Sequence, residues 1–194
     1  QNKGIKSVLD IATGTGDFAI EALKIKPEKI VGIDISEGML AFGVEKIKKL
    51  GYDKIITLQK GDSEKIPFSD NSFDAITVSF GVRNYETLEK GLKEMYRVLK
   101  PNGHCLILEF SNPKKFPMKQ LYAFYSKFCL PILGKLISKD PAAYTYLPES
   151  VQAFPDGQDF LNIYTECGFI DNKWIPMTGG ICSIYLGHKK AKNA

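Results

Sequence analysis

This 194-residue sequence has few histidines, few cysteines and no long apolar run. With only two histidines, His104 and His188, a histidine-rich metal site is not expected, and we predict no metal. The four cysteines are far apart and form no C-x-x-C motif. Such isolated cysteines are typical of reduced, buried residues, which favours a cytoplasmic protein over a secreted one. No signal peptide is recognisable.

The charge balance is also mild, with a formal net charge of +4 at pH 7. The lysines are scattered along the chain, so a nucleic-acid partner is not indicated. A weakly basic protein can still contact an anionic membrane surface. The hydrophobic fraction of 44% and the charged fraction of 25% are ordinary for a globular protein. The length suits one domain over residues 1–194.

Apolar strand-like segments alternate with helix-like ones along most of the chain. Strands are predicted at 7–11, 29–35, 55–60, 75–79, 105–110, 173–177 and 181–187, and helices at 17–26, 37–50, 88–99 and 159–167. This alternation predicts an α/β fold with a doubly wound, mostly parallel sheet covered on both faces. The last two strands are joined by "TGG" and predict an antiparallel hairpin. "PNG" at 101–103 predicts a turn before the fifth strand. Ligands of such sheets bind beyond the carboxyl ends of the strands.

The loop "VLDIATGTGD" (8–17) predicts a nucleotide-type cofactor. Gly14 and Gly16 fit the dinucleotide pattern, and Asp34 follows Gly14 by twenty residues, where a ribose-binding acid is expected. Carboxylates also flank the loop at Asp10 and Asp17. A phosphate about 5 Å from such a carboxylate costs about 3 kcal/mol at an effective dielectric constant of about 20.

S-adenosylmethionine avoids this repulsion, because it has no phosphate and carries a sulfonium and an ammonium. In this interpretation, Asp34 accepts hydrogen bonds from both ribose hydroxyls. Asp62, after the third strand, suits the exocyclic amine of adenine. The acids at three successive strand ends favour a methyltransferase over an NAD-binding oxidoreductase.

Four later motifs carry a family resemblance: "VSFGVRNY" (78–85), "MYRVLKPNGHCLILEFS" (95–111), "YTYLPESVQAFPDGQDF" (144–160) and "MTGGICSIYLGHK" (177–189). The chain resembles the quinone-ring C-methyltransferases of menaquinone and ubiquinone biosynthesis over nearly its whole length. The resemblance implies a Rossmann-like class I methyltransferase domain with a seven-stranded sheet. It also implies S-adenosylmethionine contacts, which fall on Thr15, Asp34, Asp62, Ser63 and Ser79. In the family an N-terminal helical segment closes over the site, and that segment is not part of this sequence.

The implied reaction methylates a ring carbon of demethylmenaquinol, with a ubiquinone-pathway benzoquinol or another small acceptor as alternatives. Arg83 and Asn84 are the best-placed catalytic candidates, and Tyr144 is a weaker one. The acceptor carries a polyprenyl tail, which the apolar stretch 116–138 could hold, within a helical insertion at 112–150. The same stretch could instead pack on the sheet, or make a peripheral contact at the inner face of the membrane. A catalytically silent interaction module is the alternative outside enzymes, and the oligomeric state is not readable.

Overall fold

The computed structural model describes residues 4–126 and 141–191, with side chains described for all of these except 141–145. Its strands are β1 Ser7–Ile11, β2 Lys29–Asp34, β3 Ile56–Lys60, β4 Phe73–Ser79, β5 Leu99–Phe110, β6 Ile170–Met177 and β7 Cys182–His188. Its α-helices are α1 Asp17–Glu21, α2 Glu37–Lys49, α3 Leu88–Val98, α4 Met118–Phe124, α5 Pro141–Ala153 and α6 Gln158–Glu166. Short 3₁₀ segments lie at Ala22–Ile25, Val82–Asn84 and Thr178–Gly180.

The strands form a single sheet in the order β3-β2-β1-β4-β5-β7-β6. The neighbours from β3 to β5 pair in parallel, and β7 runs antiparallel to both β5 and β6. The strand order changes direction between β1 and β4, and open α/β sheets bind their ligands at such a switch point. The predicted fold class, a doubly wound and mostly parallel seven-stranded sheet with an antiparallel C-terminal hairpin, is confirmed.

The core lies on both faces of this sheet because successive strand side chains point to opposite sides. On one face, α1 and α2 pack on β2 and β3, where Val8, Ile30 and Ile47 are almost fully buried. On the other face, α3 contacts β5 and α6 contacts β6. All five residues of β1 are buried, so this central strand fixes where its carboxyl-terminal loop emerges.

A capping residue and a glycine mark the two ends of α2. Ser36 is the N-cap, and its Oγ accepts a hydrogen bond from the backbone N–H of Met39 at 3.4 Å. The helix ends just before Gly51, whose φ of 75° lies in the left-handed region that favours glycine. The start of α2 lies beside the loop that follows β1, where Met39 approaches Gly14.

Some predicted elements differ from the structure. The turn predicted at 101–103 lies inside β5, at an irregularity in its pairing with β4. Phe73 pairs with Leu99 and Ala75 pairs with His104, so two positions along β4 correspond to five along β5. The helix predicted over 17–26 is α1 followed by a 3₁₀ segment, and α5 begins within the helical insertion predicted at 112–150 and ends three residues beyond it, at Ala153.

Of the stretch 116–138, α4 is described, and residues 127–138 lie outside the described residues. Among the helices that are described, none is long and apolar enough to cross a bilayer.

Candidate active site

A cavity of about 520 Å³ lies at the carboxyl ends of the parallel strands. The loops after β1, β2, β3 and β4 all contribute to its walls. Six of the predicted site residues line it: Gly14, Thr15, Asp34, Ser63, Ser79 and Asn84. The structure therefore brings most of the predicted cofactor residues together at the switch point of the sheet.

The glycine-rich loop is held tightly against its neighbours. The backbone N–H of Gly14 donates to Asp34 Oδ2 at 2.8 Å. With a φ of 54°, a Cβ atom at Gly14 would lie 2.8 Å from Met39 Cε. Gly16 does not line the cavity; its φ is 79°, and a Cβ there would lie 3.2 Å from Ile47 Cδ1. Gly14 thus leaves the backbone open to a ligand, while Gly16 permits the close approach of α2.

The carboxylate of Asp34 is fixed by the backbone on both sides. Oδ2 accepts from the Gly14 N–H, and Oδ1 accepts from the Ser36 N–H, each at 2.8 Å. Each carboxylate oxygen can accept about two hydrogen bonds. Both oxygens therefore retain capacity for the two hydroxyls of a ribose.

Asp10 lies beneath the loop and does not line the cavity. It is 1% exposed, and it accepts hydrogen bonds from Thr13 Oγ1 at 2.6 Å and Thr77 Oγ1 at 2.7 Å. Burial raises its pKa to about 6, against the opposing effect of the two hydroxyl donors. Its observed contacts tie the loop to β4.

Asp17 lies at the cavity wall, but its charge is paired. Its Oδ1 lies 2.8 Å from Lys46 Nζ, and its Oδ2 accepts from Thr15 Oγ1 at 2.6 Å. The hydrogen bonds from Lys46 and Thr15 lower its pKa. The loop is therefore less negative than its two aspartates suggest in the sequence. Within the described part of the wall, Asp34 is the carboxylate that has no cationic partner.

Asp62 is exposed and does not itself line the cavity, although Gly61 and Ser63 on either side of it do. Its Oδ1 accepts from the backbone N–H of Glu64 at 2.8 Å. This bond orders the turn after β3 and keeps the carboxylate at the rim.

The turn after β4 forms the opposite wall. Ser79, Phe80, Gly81 and Asn84 line the cavity. Phe80 has a φ of 56°, a left-handed conformation that non-glycine residues seldom adopt. Tyr146, on α5, donates its hydroxyl to Asn84 Oδ1 at 2.8 Å, which orients the amide.

Arg83 does not line this cavity. Its Nη1 lies 2.9 Å from Glu109 Oε1 in an ion pair whose side chains are 11% and 0% exposed. It lines a second cavity of about 340 Å³, together with Tyr146 and the ring of Tyr85, which borders both cavities. The structure therefore separates the two adjacent catalytic candidates into neighbouring cavities.

The ion pair of Arg83 with Glu109 and the hydrogen bond of Tyr146 to Asn84 were not identified from the sequence. Glu109, an acid inside the apolar strand "LILEF", is the clearest signal, since an acid on a buried strand needs a partner. Tyr144 lies on α5, but its side chain is outside the described part of the chain.

The walls fit S-adenosylmethionine. The residues lining the described part of the larger cavity include Asp17 and Asp34 and no lysine or arginine. Such walls suit a cationic ligand with a ribose better than a dinucleotide, which would bring two phosphate groups.

The comparisons with known proteins agree with this geometry. The model of the ubiE/COQ5 methyltransferase family matches residues 1–189. The chain belongs to this family. A demethylmenaquinone methyltransferase of Bacteroides fragilis is 50% identical over 185 residues, which cover 95% of this chain and 76% of that protein. The ubiquinone/menaquinone biosynthesis C-methyltransferase UbiE of Geobacter sulfurreducens is 45% identical over 187 residues, covering 95% and 73% of the two chains.

Solved structures confirm the fold at lower identity. A SAM-dependent methyltransferase from Aquifex aeolicus has a TM-score of 0.67 at 24% identity, covering 95% of this chain and 84% of that one. The [4+2]-cyclase SpnF has a TM-score of 0.71 at 15% identity, covering 97% and 76%. The predicted enzyme class and cofactor, an S-adenosylmethionine-dependent methyltransferase, are confirmed by the family.

Proposed function

We propose that this protein methylates a ring carbon of demethylmenaquinol in menaquinone biosynthesis, using S-adenosylmethionine. The observation that carries the proposal is the cavity at the switch point, with Asp34 on one wall and the β4 turn on the other. The 50% identity to a demethylmenaquinone methyltransferase supports the choice of acceptor. A ubiquinone-pathway benzoquinol is the second candidate, because the Geobacter relative carries both pathways in its name.

The cofactor would be held by backbone and short polar groups. Asp34 would accept from the two ribose hydroxyls, and Asp62 with Ser63 would meet the adenine at the rim. The loop at Gly14 and Thr15 would hold the methionine end. Ser79 would then lie near the transferred methyl group. These assignments rest on the lining of the cavity and the backbone bonds that fix Asp34, except that of Asp62, which rests on its place between the lining residues Gly61 and Ser63.

The protein's main contribution to the reaction would be positioning. Bound S-adenosylmethionine supplies an electrophilic methyl group on a sulfonium. Two reactants held in line within one site react far faster than in solution. The β4 turn, with the ring of Phe80 and the amide of Asn84, would form the surface on which the quinol ring rests.

A ring carbon attacks well only when a ring hydroxyl is at least partly deprotonated. Arg83 is not a base, because an arginine guanidinium is not deprotonated in proteins. It would stabilise the developing phenolate or orient a water that takes the proton. The Tyr146 hydroxyl bond to Asn84 Oδ1 leaves the amide N–H groups of Asn84 to face a ligand oxygen.

The polyprenyl tail and a peripheral membrane contact would involve the region around α4. Phe116 is 81% exposed and Leu121 is 58% exposed, and Lys114, Lys115 and Lys119 lie beside them in the sequence. Exposed apolar side chains next to lysines suit the surface of an anionic bilayer. We expect co-sedimentation with vesicles that contain phosphatidylglycerol and weaker binding after Leu121→Asp. Equal binding of both proteins would contradict a contact through α4.

The proposed acceptor is tested by quinone analysis in a host that lacks this activity. Expression of the full-length gene should convert accumulated demethylmenaquinone into a product that is one methyl group heavier. The Asp34→Ala variant is the matched control and should leave the precursor unconverted. Conversion of a benzoquinol precursor alone would favour the ubiquinone pathway, and conversion of neither would contradict the proposal.

A further inference from the structure

Glu109 is a buried acid bonded to the turn after β4. It lies at the carboxyl end of β5 and is fully buried. Its Oε1 accepts from Arg83 Nη1 at 2.9 Å and from the Phe110 N–H at 2.8 Å. Its Oε2 accepts from the backbone N–H of Arg83 at 3.2 Å. One carboxylate therefore holds both the side chain and the main chain of Arg83.

Arg83 also restrains Phe80, the residue at which the turn after β4 begins. Its Nη1 also donates to the carbonyl oxygen of Phe80, and Phe80 is the residue with the left-handed φ of 56°. A bulky residue held in that region has a conformational cost, and it stays there only when surrounding contacts impose it. Arg83 thus links Glu109 to the strained end of β4.

The turn also abuts the cofactor loop. A Cβ atom at Gly81 would lie 2.5 Å from Ala12 Cβ, so the two loops are in close contact. Phe80, Gly81 and Asn84 all line the cofactor cavity. Any shift of the Arg83 backbone would therefore move the wall on which the acceptor is proposed to rest.

Arg83 Nε is buried and has no hydrogen-bond partner among the described residues. Nη1 is already engaged, so the guanidinium is oriented by its bonds to Glu109 and Phe80, and Nε takes no part in holding it. A side chain fixed in this way by its neighbours is the arrangement expected of a group that supports a functional site.

We propose that Glu109 is a positioning residue for methyl transfer, acting through Arg83 to hold the Phe80–Asn84 turn in line with the methyl donor. This role rests on the proposed function. It separates Glu109 from cofactor binding, since the carboxylate lies on β5 and contacts none of Gly14, Asp34 or Ser63 in its described hydrogen bonds.

The test compares Glu109→Gln with Asp74→Asn in the full-length protein. Asp74 is a matched control, because it too accepts backbone N–H groups and pairs with a cation, Lys100, but near the amino-terminal end of β4, away from the cavity. For Glu109→Gln, we expect kcat to fall by about 10- to 100-fold, with the affinity for S-adenosylhomocysteine within about twofold of the parent protein. Asp74→Asn should leave the kcat of the folded protein unchanged.

A double-mutant cycle tests whether Glu109 acts through Arg83. It remains informative even if Glu109→Gln folds poorly because the guanidinium of Arg83 has lost its partner. Arg83→Gln and the double variant Arg83→Gln/Glu109→Gln should have the same kcat within about twofold. Once the guanidinium of Arg83 is absent, the replacement of Glu109 displaces no further group. The double variant carries no unpaired buried charge at this position.

Several results would overturn the role. These are an unchanged kcat for Glu109→Gln, losses that multiply in the double variant, or a loss of cofactor affinity as large as the loss of kcat. Failure of the parent protein to methylate the quinol while it binds the cofactor normally would contradict the proposed function, and this role with it.

Discussion

Replacing Asp10 with asparagine should stabilise the protein at neutral pH, although both carboxylate oxygens of the aspartate accept hydrogen bonds. Burial raises the pKa of Asp10 from 3.8 to about 6. At about 1.36 kcal/mol for each pKa unit, ionising this carboxyl in the folded protein costs about 3 kcal/mol at pH 7. The unfolded chain loses this proton first as the pH rises. The contribution of Asp10 to stability is therefore full below about pH 4 and is lost as the pH rises through about 6.

The substitution Asp10→Asn would not recover the whole of this cost. The single amide oxygen of the new side chain can accept from either Thr13 or Thr77, and its NH₂ group must face the oxygen of the other hydroxyl. We therefore expect a gain of about 1 to 2 kcal/mol at pH 8 for Asp10→Asn, after about 1 kcal/mol is lost with one hydrogen bond. Because asparagine does not titrate, the difference should follow the titration of Asp10, and at about pH 4, where the aspartate is itself neutral, Asp10→Asn should be less stable than the parent protein by about 1 kcal/mol.

The assay is urea unfolding of the parent protein and Asp10→Asn at intervals between pH 4 and pH 8, with equal m values as the condition for comparison. Asp74→Asn is the control of opposite sign. Although partial burial of Asp74 would raise its pKa, Lys100 and Ser7 hold that pKa at about 2, so its loss should destabilise the protein above about pH 4. A pH-independent difference for Asp10→Asn, or a less stable variant at pH 8, would refute the reasoning.

Three further predictions concern the loops and α2. Asp34→Ala should weaken binding of S-adenosylhomocysteine by at least about tenfold in calorimetry, because two hydrogen bonds to a charged group are lost; equal affinity would remove its ribose role. Arg83→Ala should lower kcat while cofactor affinity stays intact, and a parallel fall in affinity would contradict the separation of the two cavities. Gly43→Ala should lower the free energy of unfolding by about 1 to 3 kcal/mol, since its Cβ would lie 2.5 Å from Leu58 Cδ1. Gly38→Ala, on the same helix and with nothing within 4 Å, should instead stabilise by about 0.5 to 1 kcal/mol in thermal or urea unfolding.

Local signals predicted the sheet and the cofactor side of the site well. The strand "SVLDI" is apolar enough to indicate a buried central strand, and glycines after it mark the loop that meets the ligand. Since parallel strands present their carboxyl ends at one edge, Asp34 could be assigned to the cavity from its place in the sequence, whereas Ser63 and Ser79 were assigned through the family resemblance.

The acceptor side was harder to predict because its contacts are long-range. Arg83 and Asn84 are adjacent in sequence, but successive residues of a 3₁₀ turn point in different directions. The partner of Arg83 is 26 positions away on β5, and the partner of Asn84 is 62 positions away on α5. No local pattern encodes such pairings. Pro148 lies inside α5 and reads as a helix breaker in the sequence.

The contact between Gly81 and Ala12 has a thermodynamic consequence for how the two ligands bind. A loop ordered by the methyl donor restricts the neighbouring turn through this contact, and a turn ordered by the acceptor restricts the loop in the same way. Linkage requires that each ligand change the affinity of the other by the same factor. The two loops that would hold donor and acceptor are thus in direct contact, and a substitution that loosened this one contact would change any coupling between the two ligands equally in both directions.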